Sequence, residues 1–125
     1  MSNYFGLSEM EYELMQIFWA KAEPLSFPQV VTICNEENEH QWAKTTIHTF
    51  LSRMVAKGVL RVENGRKKHI YTAVVSFDDL ETSYALSFLR SSYEGSLAHF
   101  FKAVIRGMKI PEVEAAEIRT LLDES

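Results

Sequence analysis

The fold of this chain is decided by one stretch, residues 44–57, which reads KTTIHTFLSRMVAK. Its apolar residues recur at intervals of three and four, which predicts an amphipathic helix with one buried side. That side contains Ile47, Phe50, Leu51, Met54 and Val55. The opposite side carries short hydroxyl groups, a histidine and an arginine, and it has no carboxylate: Thr45, Thr46, His48, Thr49, Ser52 and Arg53.

This polar side is unusual for a helix that only meets water. Exposed helices usually mix acids and bases, and threonines are poor helix formers because they lose rotamer freedom. Short donor side chains beside an arginine allow a helix to approach a polyanion and to reach base edges. We therefore predict that the helix binds DNA through Lys44 and this polar side. The alternative is a helix that packs in the core and has an indifferent outer side.

Length and composition restrict the class of protein. A chain of 125 residues predicts one domain, with room for an appendage. Hydrophobic residues make up 46% and charged residues 24%, as in ordinary globular proteins. No stretch is long and apolar enough to cross a membrane, and the N-terminus has no signal-peptide pattern. The single Cys34 excludes an internal disulfide and indicates a reducing compartment, so we expect a cytoplasmic protein.

Charge is distributed unevenly along the chain. The net charge of −4, taken alone, argues against nucleic-acid binding. Residues 1–39 carry one base against seven acids, and residues 72–125 carry five bases against nine acids. Residues 40–71, in contrast, carry seven bases against one acid, a local net charge of +6. A basic block within an acidic chain is typical of a polyanion-binding surface.

Two further helices are predicted before the decisive one. Ser8 with Glu11, and Ser26 with Gln29, each form the capping-box pattern that begins a helix. The second helix ends in the polar residues 35–40, which leaves a short connection to the third helix. The first helix is predicted to bury a stripe of apolar residues: Met10, Leu14, Ile17 and Phe18.

Two strands follow the third helix, which Gly58 closes. Residues 59–63 and 69–74 alternate in polarity and are rich in β-branched residues. Between them lies a turn that begins with Asn-Gly and continues with three cations: Arg66, Lys67 and Lys68. Three helices and a hairpin outline a winged helix, whose third helix enters the major groove while the basic hairpin contacts phosphates. The alternative for the three cations is a solvated loop.

Residues 76–125 read as a separate helical segment. The segment is apolar on more than one side, yet about 50 residues rarely sustain an isolated core. We therefore predict a DNA-binding domain at residues 1–75 and a dimerisation region at residues 76–125 that pairs with its own copy. The alternative is that the segment folds back on the N-terminal domain. The predicted dimerisation residues are Leu86, Leu89, Tyr93, Leu97, Phe100, Phe101, Val104, Ile105, Ile118, Leu121 and Leu122.

Several of these stretches resemble the penicillinase-repressor family, which includes repressors of β-lactamase, methicillin-resistance and copper-transport operons. The resemblance implies a bacterial winged-helix repressor that binds a palindromic operator as a homodimer and dimerises through its C-terminal helices. It is carried by residues 7–11, 17–19, 46–55, 57–58, 64–66 and 71–72, and in the tail by residues 95–97 and 121–122.

Two departures limit what this resemblance implies. Copper-responsive members use paired cysteines near the C-terminus as metal ligands, and this tail has no cysteine, so we do not expect copper sensing of that kind. In the β-lactam branch a membrane sensor protease cuts an Asn-Phe bond, where this sequence has Ala103 and Val104. The resemblance therefore implies a sensor protease as a partner, but it does not predict cleavage at this pair of residues.

The sequence contains no pattern for catalysis, a metal or a cofactor. Its four histidines and Cys34 lack metal-ligand spacing, and it has neither a phosphate-binding glycine loop nor a nucleophile elbow. We predict a non-enzymatic transcriptional repressor, mainly α with a small β-hairpin. The alternative is a winged-helix protein-interaction module that binds an acidic partner. The carboxylate-free side of residues 45–53 favours DNA, because a protein partner more often requires exposed apolar anchors.

Overall fold

The computed structural model describes residues 4–64 and 69–125. The prediction of a mainly α chain with a small β-hairpin is confirmed, and the predicted elements lie close to their expected bounds. In chain order the elements are α1 Glu9–Lys21, β1 Leu25–Ser26, α2 Phe27–Thr32, a π-helical turn Ile33–Glu37, α3 Lys44–Ala56, β2 Leu60–Asn64, β3 His69–Ala73, α4 Phe77–Tyr93, α5 Leu97–Gly107 and α6 Glu112–Glu124.

Both predicted capping boxes are present. At the start of α1 the Glu11 N–H donates to Ser8 Oγ at 3.2 Å, and the Ser8 N–H donates to Glu11 Oε1 at 2.8 Å. At the start of α2 the Gln29 N–H donates to Ser26 Oγ at 3.3 Å, and the Ser26 N–H donates to Gln29 Oε1 at 2.8 Å. These bonds satisfy amide groups that have no partner inside the helix, so they fix where α1 and α2 begin.

The decisive helix packs as its pattern predicts. Ile47, Leu51 and Met54 of α3 have no exposed surface, and Phe50 and Val55 are partly buried against the same core. The helix ends at a C-cap followed by Gly58, whose φ of +81° is a left-handed conformation that glycine adopts without strain. The buried side of α3 therefore faces the hydrophobic core and leaves its polar side outside.

One predicted core position in α1 is wrong. Met10 is 37% exposed, whereas its neighbour Glu11 is only 2% exposed. Glu11 follows Leu7 by four residues and precedes Met15 by four, and both of these apolar residues are buried. The buried side of α1 therefore passes through the carboxylate of Glu11 and leaves Met10 at its edge.

The small sheet has the strand order β1-β3-β2, with both pairs antiparallel. β2 and β3 form the predicted hairpin, in a register that extends from Leu60 opposite Ala73 to Asn64 opposite His69. β1 was not predicted, because two residues are too few to show an alternating pattern. It pairs with the other edge of β3, and its second residue also caps α2.

The chain divides into two compact units, Met1–Tyr84 and Ala85–Ser125, so the division falls within α4. In the first unit, Leu80 is buried with the core, and the Phe77 ring lies edge-on to Phe5 with ring centroids 5.4 Å apart. The first unit therefore includes the first turns of α4. The functional division predicted at residues 75 and 76 stays a prediction.

The second unit has little interior of its own. No described residue of α5 or α6 is buried. The rings of Phe88, Tyr93 and Phe100 form a cluster with centroids 5.3–6.2 Å apart, yet Phe88 is 41% exposed. Across the described residues, no helix is long and apolar enough to span a membrane.

Candidate nucleic-acid interface

The polar side of α3 is the centre of the candidate interface. Thr46 alone among its predicted contact residues is partly buried, at the edge of the apolar side. Among the described residues, no carboxylate lies within ion-pair distance of Arg53. The other predicted contact residues of the helix are exposed: Lys44, Thr45, His48, Thr49, Ser52 and Arg53.

Two of these side chains already have contacts within the chain. The Thr49 hydroxyl donates to the carbonyl oxygen of Thr45 at 2.9 Å, so it can offer an outside group only its acceptor lone pairs. The His48 ring lies edge-on to Phe27 of α2, with ring centroids 6.0 Å apart and an angle of 70° between the planes. This contact restricts the direction in which the imidazole points from the helix.

The predicted wing is described only at its base. Arg66, Lys67 and Lys68 lie outside the described residues. At the base, Asn64 Oδ1 forms a hydrogen bond with His69 Nδ1 across the hairpin. Arg61 of β2 makes a long contact of 3.6 Å with Glu63 of the same strand, and both side chains are exposed. An exposed pair of this kind contributes little free energy. Arg61 is therefore a further exposed cation on β2 whose charge is available to an outside group.

The connection before α3 is anchored by contacts that the sequence did not indicate. α3 has Ala43 at its N-cap and receives no side-chain capping bond. The Trp42 backbone is held instead by Asn35, whose Oδ1 accepts the Trp42 N–H at 3.0 Å and whose Nδ2 donates to the Trp42 carbonyl oxygen at 3.1 Å. His40 stacks on the Trp42 ring at 3.8 Å, and its Nε2 lies 2.7 Å from Glu13 Oε2 of α1.

The other end of α3 is anchored to α1 as well. Lys57 Nζ lies 2.6 Å from Glu11 Oε1 and donates to the Gly6 carbonyl oxygen at 3.1 Å. Burial raises the pKa of Glu11, but Lys57 and the hydrogen bonds with Ser8 outweigh it, so the pKa lies below its ordinary value. Lys57 belongs to the basic block, yet its charge is directed at this buried carboxylate.

Sequence reasoning missed both of these contacts between α1 and the ends of α3. Lys57 and Glu11 are 46 residues apart, and His40 and Glu13 are 27 residues apart. No local spacing links residues at such separations. The one available signal was that Glu11 shares a helical side with Leu7 and Met15, which places a carboxylate among apolar neighbours.

The predicted dimerisation residues all lie on α4, α5 and α6, and none is buried within the single chain. On α5, Ala103 and Val104 are partly buried. The exposed members are Leu86, Leu97, Ile105, Leu121 and Leu122, and the partly buried members are Leu89, Tyr93, Phe100, Phe101, Val104 and Ile118.

No metal or nucleophile chemistry is evident near these surfaces. In residues 4–64 and 69–125, no three His, Cys, Asp or Glu side chains are close enough together to hold a metal ion. Cys34 is buried in the core, and burial raises the pKa of its thiol to about 11. A thiol is nucleophilic only as the thiolate, so Cys34 acts as a small core residue.

Comparisons with known proteins agree on one family. The profile of the Penicillinase repressor family matches residues 7–124. The methicillin resistance regulatory protein MecI of Mammaliicoccus sciuri is 22% identical over 121 residues, which is 96% of this chain and 95% of that protein. The penicillinase repressor of Bacillus licheniformis is 25% identical over 118 residues, 94% of this chain and 90% of that protein.

A solved structure matches the fold of about two thirds of the chain. The solution structure of the DNA-binding domain of the repressor BlaI superposes with a TM-score of 0.52 at 25% identity, and the match covers 63% of this chain and 93% of that one. The prediction of a winged-helix DNA-binding fold is thereby confirmed. The prediction that the chain is not an enzyme is also confirmed, because the family whose profile it matches is a family of repressors. Since the family profile spans nearly the whole sequence, the chain belongs to the penicillinase repressor family.

Proposed function

We propose that this protein is a transcriptional repressor that binds a palindromic DNA operator as a homodimer. In this proposal α3 enters the major groove, and its polar side contacts base edges and adjacent phosphates. The observation that carries the proposal is an exposed helix side that has hydroxyls, His48 and Arg53 but no carboxylate. Such a side can lie against a polyanion without repulsion, and arginine is the side chain that most often reads guanine.

The cations of the wing would supply contacts to the DNA backbone. In the sequence, Arg66, Lys67 and Lys68 follow the end of β2 after one glycine, and in a winged helix this hairpin lies beside the groove that the third helix enters. Lysine and arginine contacts to phosphates orient the protein on the duplex but do not read its sequence. We therefore assign affinity mainly to the wing and discrimination mainly to α3.

Homodimerisation is proposed from the exposure of the second unit. Leu97, Ile105 and Leu122 are 49%, 58% and 58% exposed in the single chain. An exposed apolar surface of this kind on α5 and α6 favours burial against a partner. A second copy of the chain can provide that partner, because a two-fold interface pairs the same surface of both copies. Two reading helices held one helical turn of DNA apart would then meet the two halves of a palindrome.

The proposal can be tested by selection. The purified full-length chain should enrich a two-fold symmetric duplex from a random-sequence pool, with half-sites about 10 base pairs apart. Its affinity for the enriched duplex should exceed its affinity for a scrambled duplex by roughly 10³-fold or more at physiological salt. Sedimentation should show a dimer on the enriched duplex. Enrichment of no sequence, or binding of an acidic protein surface in place of DNA, would contradict the proposal.

A further inference from the structure

We propose that α1 positions α3 through two side-chain contacts, one at each end, and that these four residues set the sequence selectivity of DNA binding. The pairs are Glu13–His40 before the first turn of α3 and Glu11–Lys57 after its last turn. We name the four residues the α1 clamp. The inference rests on the proposed function only for the role of α3 in reading DNA.

The first pair holds the connection from which α3 begins. Glu13 contacts His40 at 2.7 Å, His40 stacks in parallel on Trp42, and the Trp42 ring lies edge-on to Phe50 of α3 with centroids 5.7 Å apart. The His40 N–H also donates to the Cys34 carbonyl oxygen at 3.0 Å. The chain of contacts thus extends from a carboxylate of α1 to the first turns of α3.

The contacts of His40 and Trp42 take the place of a side-chain N-cap at the start of α3. α1 and α2 each begin with a capping box, whereas α3 begins at Ala43, which has no side-chain hydrogen bond to offer. A helix without a cap tends to fray in its first turn. The first turn of α3 holds Lys44, Thr45 and Thr46, which the proposed function places at the DNA. The order of this first turn therefore depends on His40 and Trp42 before it, and on the contacts that Glu13 and Asn35 make with them.

The second pair fixes the opposite end. Lys57 is the C-cap residue of α3 and binds Glu11, a carboxylate that is 2% exposed and therefore has almost no freedom to move. Glu11 and Glu13 are two residues apart on α1, so one short segment contacts both ends of α3. Displacement of a reading helix by about 1 Å is enough to spoil hydrogen bonds to base edges while contacts to phosphates adapt.

The test compares two carboxylate variants that change the charge equally. Glu13→Gln removes the charge that Glu13 presents to His40, and Glu37→Gln removes the charge of Glu37 in the exposed Lys21–Glu37 pair, whose atoms are 3.2 Å apart and whose residues lie outside α3. Each removes one negative charge, so electrostatics alone predicts slightly tighter binding to every duplex for both variants. The clamp predicts instead that Glu13→Gln lowers the affinity for the enriched duplex, relative to a scrambled duplex, by about 3- to 10-fold.

Further measurements separate the positioning of α3 from DNA binding and from general stability. Amide chemical shifts of Thr45 and Thr46 should change in Glu13→Gln and in His40→Gln, and they should not change in Glu37→Gln. The double variant Glu13→Gln/His40→Gln should lose no more selectivity than either single variant, because the two residues act as one unit. Thermal unfolding of each variant identifies any general loss of folding.

The outcomes separate the two proposals. If Glu13→Gln and Glu37→Gln give the same selectivity and the same amide shifts, the α1 clamp is refuted. A loss of affinity that is equal on the enriched and the scrambled duplex would also refute it. If the wild-type chain enriches no duplex, the proposed function fails, and the amide shifts alone then decide whether the clamp exists.

Discussion

Replacement of Lys57 by methionine should destabilise the first unit by removing the cation that faces a buried carboxylate. Loss of one partner costs about 3–5 kcal/mol for a fully buried ion pair and about 0–1 kcal/mol for an exposed one. Here the Glu11 side chain is 2% exposed but that of Lys57 is 41% exposed, and Glu11 keeps the Ser8 N–H at 2.8 Å. We therefore expect Lys57→Met to lower the free energy of unfolding by about 2 kcal/mol near pH 7.

The stability lost in Lys57→Met should depend on pH, whereas a loss of packing alone would not. Because Lys57 and Ser8 hold the pKa of Glu11 below its ordinary value, the stabilisation is present at neutral pH and is lost as pH falls through the folded-state pKa. Without Lys57, only the hydrogen bonds with Ser8 oppose the effect of burial, and the pKa of Glu11 rises. The difference in unfolding free energy between wild type and Lys57→Met should therefore shrink as pH falls below the ordinary pKa of a glutamate and vanish below the folded-state pKa of Glu11.

Urea unfolding, followed by the fluorescence of Trp19 and Trp42, measures this difference because both tryptophans lie in the first unit. Protein concentration must be the same throughout, since any oligomer shifts the apparent stability. In a Glu11→Gln background the same lysine substitution should cost less than about 0.5 kcal/mol, since the buried charge is gone. An equal loss at pH 3 and pH 7 would refute the reasoning and would assign the effect to lost packing of the lysine side chain.

The proposed interface leads to three further predictions. Arg53→Ala should weaken binding to the enriched duplex by about 1–3 kcal/mol and leave folding unchanged; equal affinity in titrations of both proteins would remove Arg53 from the reading face. Lys67→Ala should weaken binding to all duplexes alike and reduce the salt dependence by about one unit; a loss at a single base position would contradict a phosphate contact. Ile105→Asp should dissociate the dimer in sedimentation and lower operator affinity by about 10²- to 10⁴-fold, whereas Lys102→Asp on the same helix should do neither; dimers of Ile105→Asp would place the interface elsewhere.

Local signals in the sequence predicted most of the first unit. The capping boxes at Ser8 and Ser26 and the glycine after α3 determine where helices begin and end, and each depends on residues within one turn. Periodicity identified which side of α3 is buried. Such features are predictable because neighbours in sequence are neighbours in space on a helix.

Features that depend on distant residues were not predictable in this way. β1 exists because β3 has a free edge, which two residues near Leu25 occupy. The pairing of Glu11 with Lys57 depends on how α1 crosses α3, a consequence of core packing. The error at Met10 has the same origin, since a pattern of apolar residues cannot show that a carboxylate with a distant cation belongs to the buried side.

The ion pairs also change how the charge of the chain should be interpreted. By sequence, residues 1–39 form an acidic block that would repel DNA beside the basic block. Two of its acids have partners within the first unit: the buried Glu11 contacts Lys57, and the partly exposed Glu13 contacts His40. The charge of Glu11 is therefore already compensated by Lys57 within the first unit. What remains for a polyanion is the carboxylate-free side of α3 with Lys44 and Arg53, together with the cations of the wing. A protein with a net negative charge can thus present a locally basic surface, because its fold directs some carboxylates toward partners within the same unit.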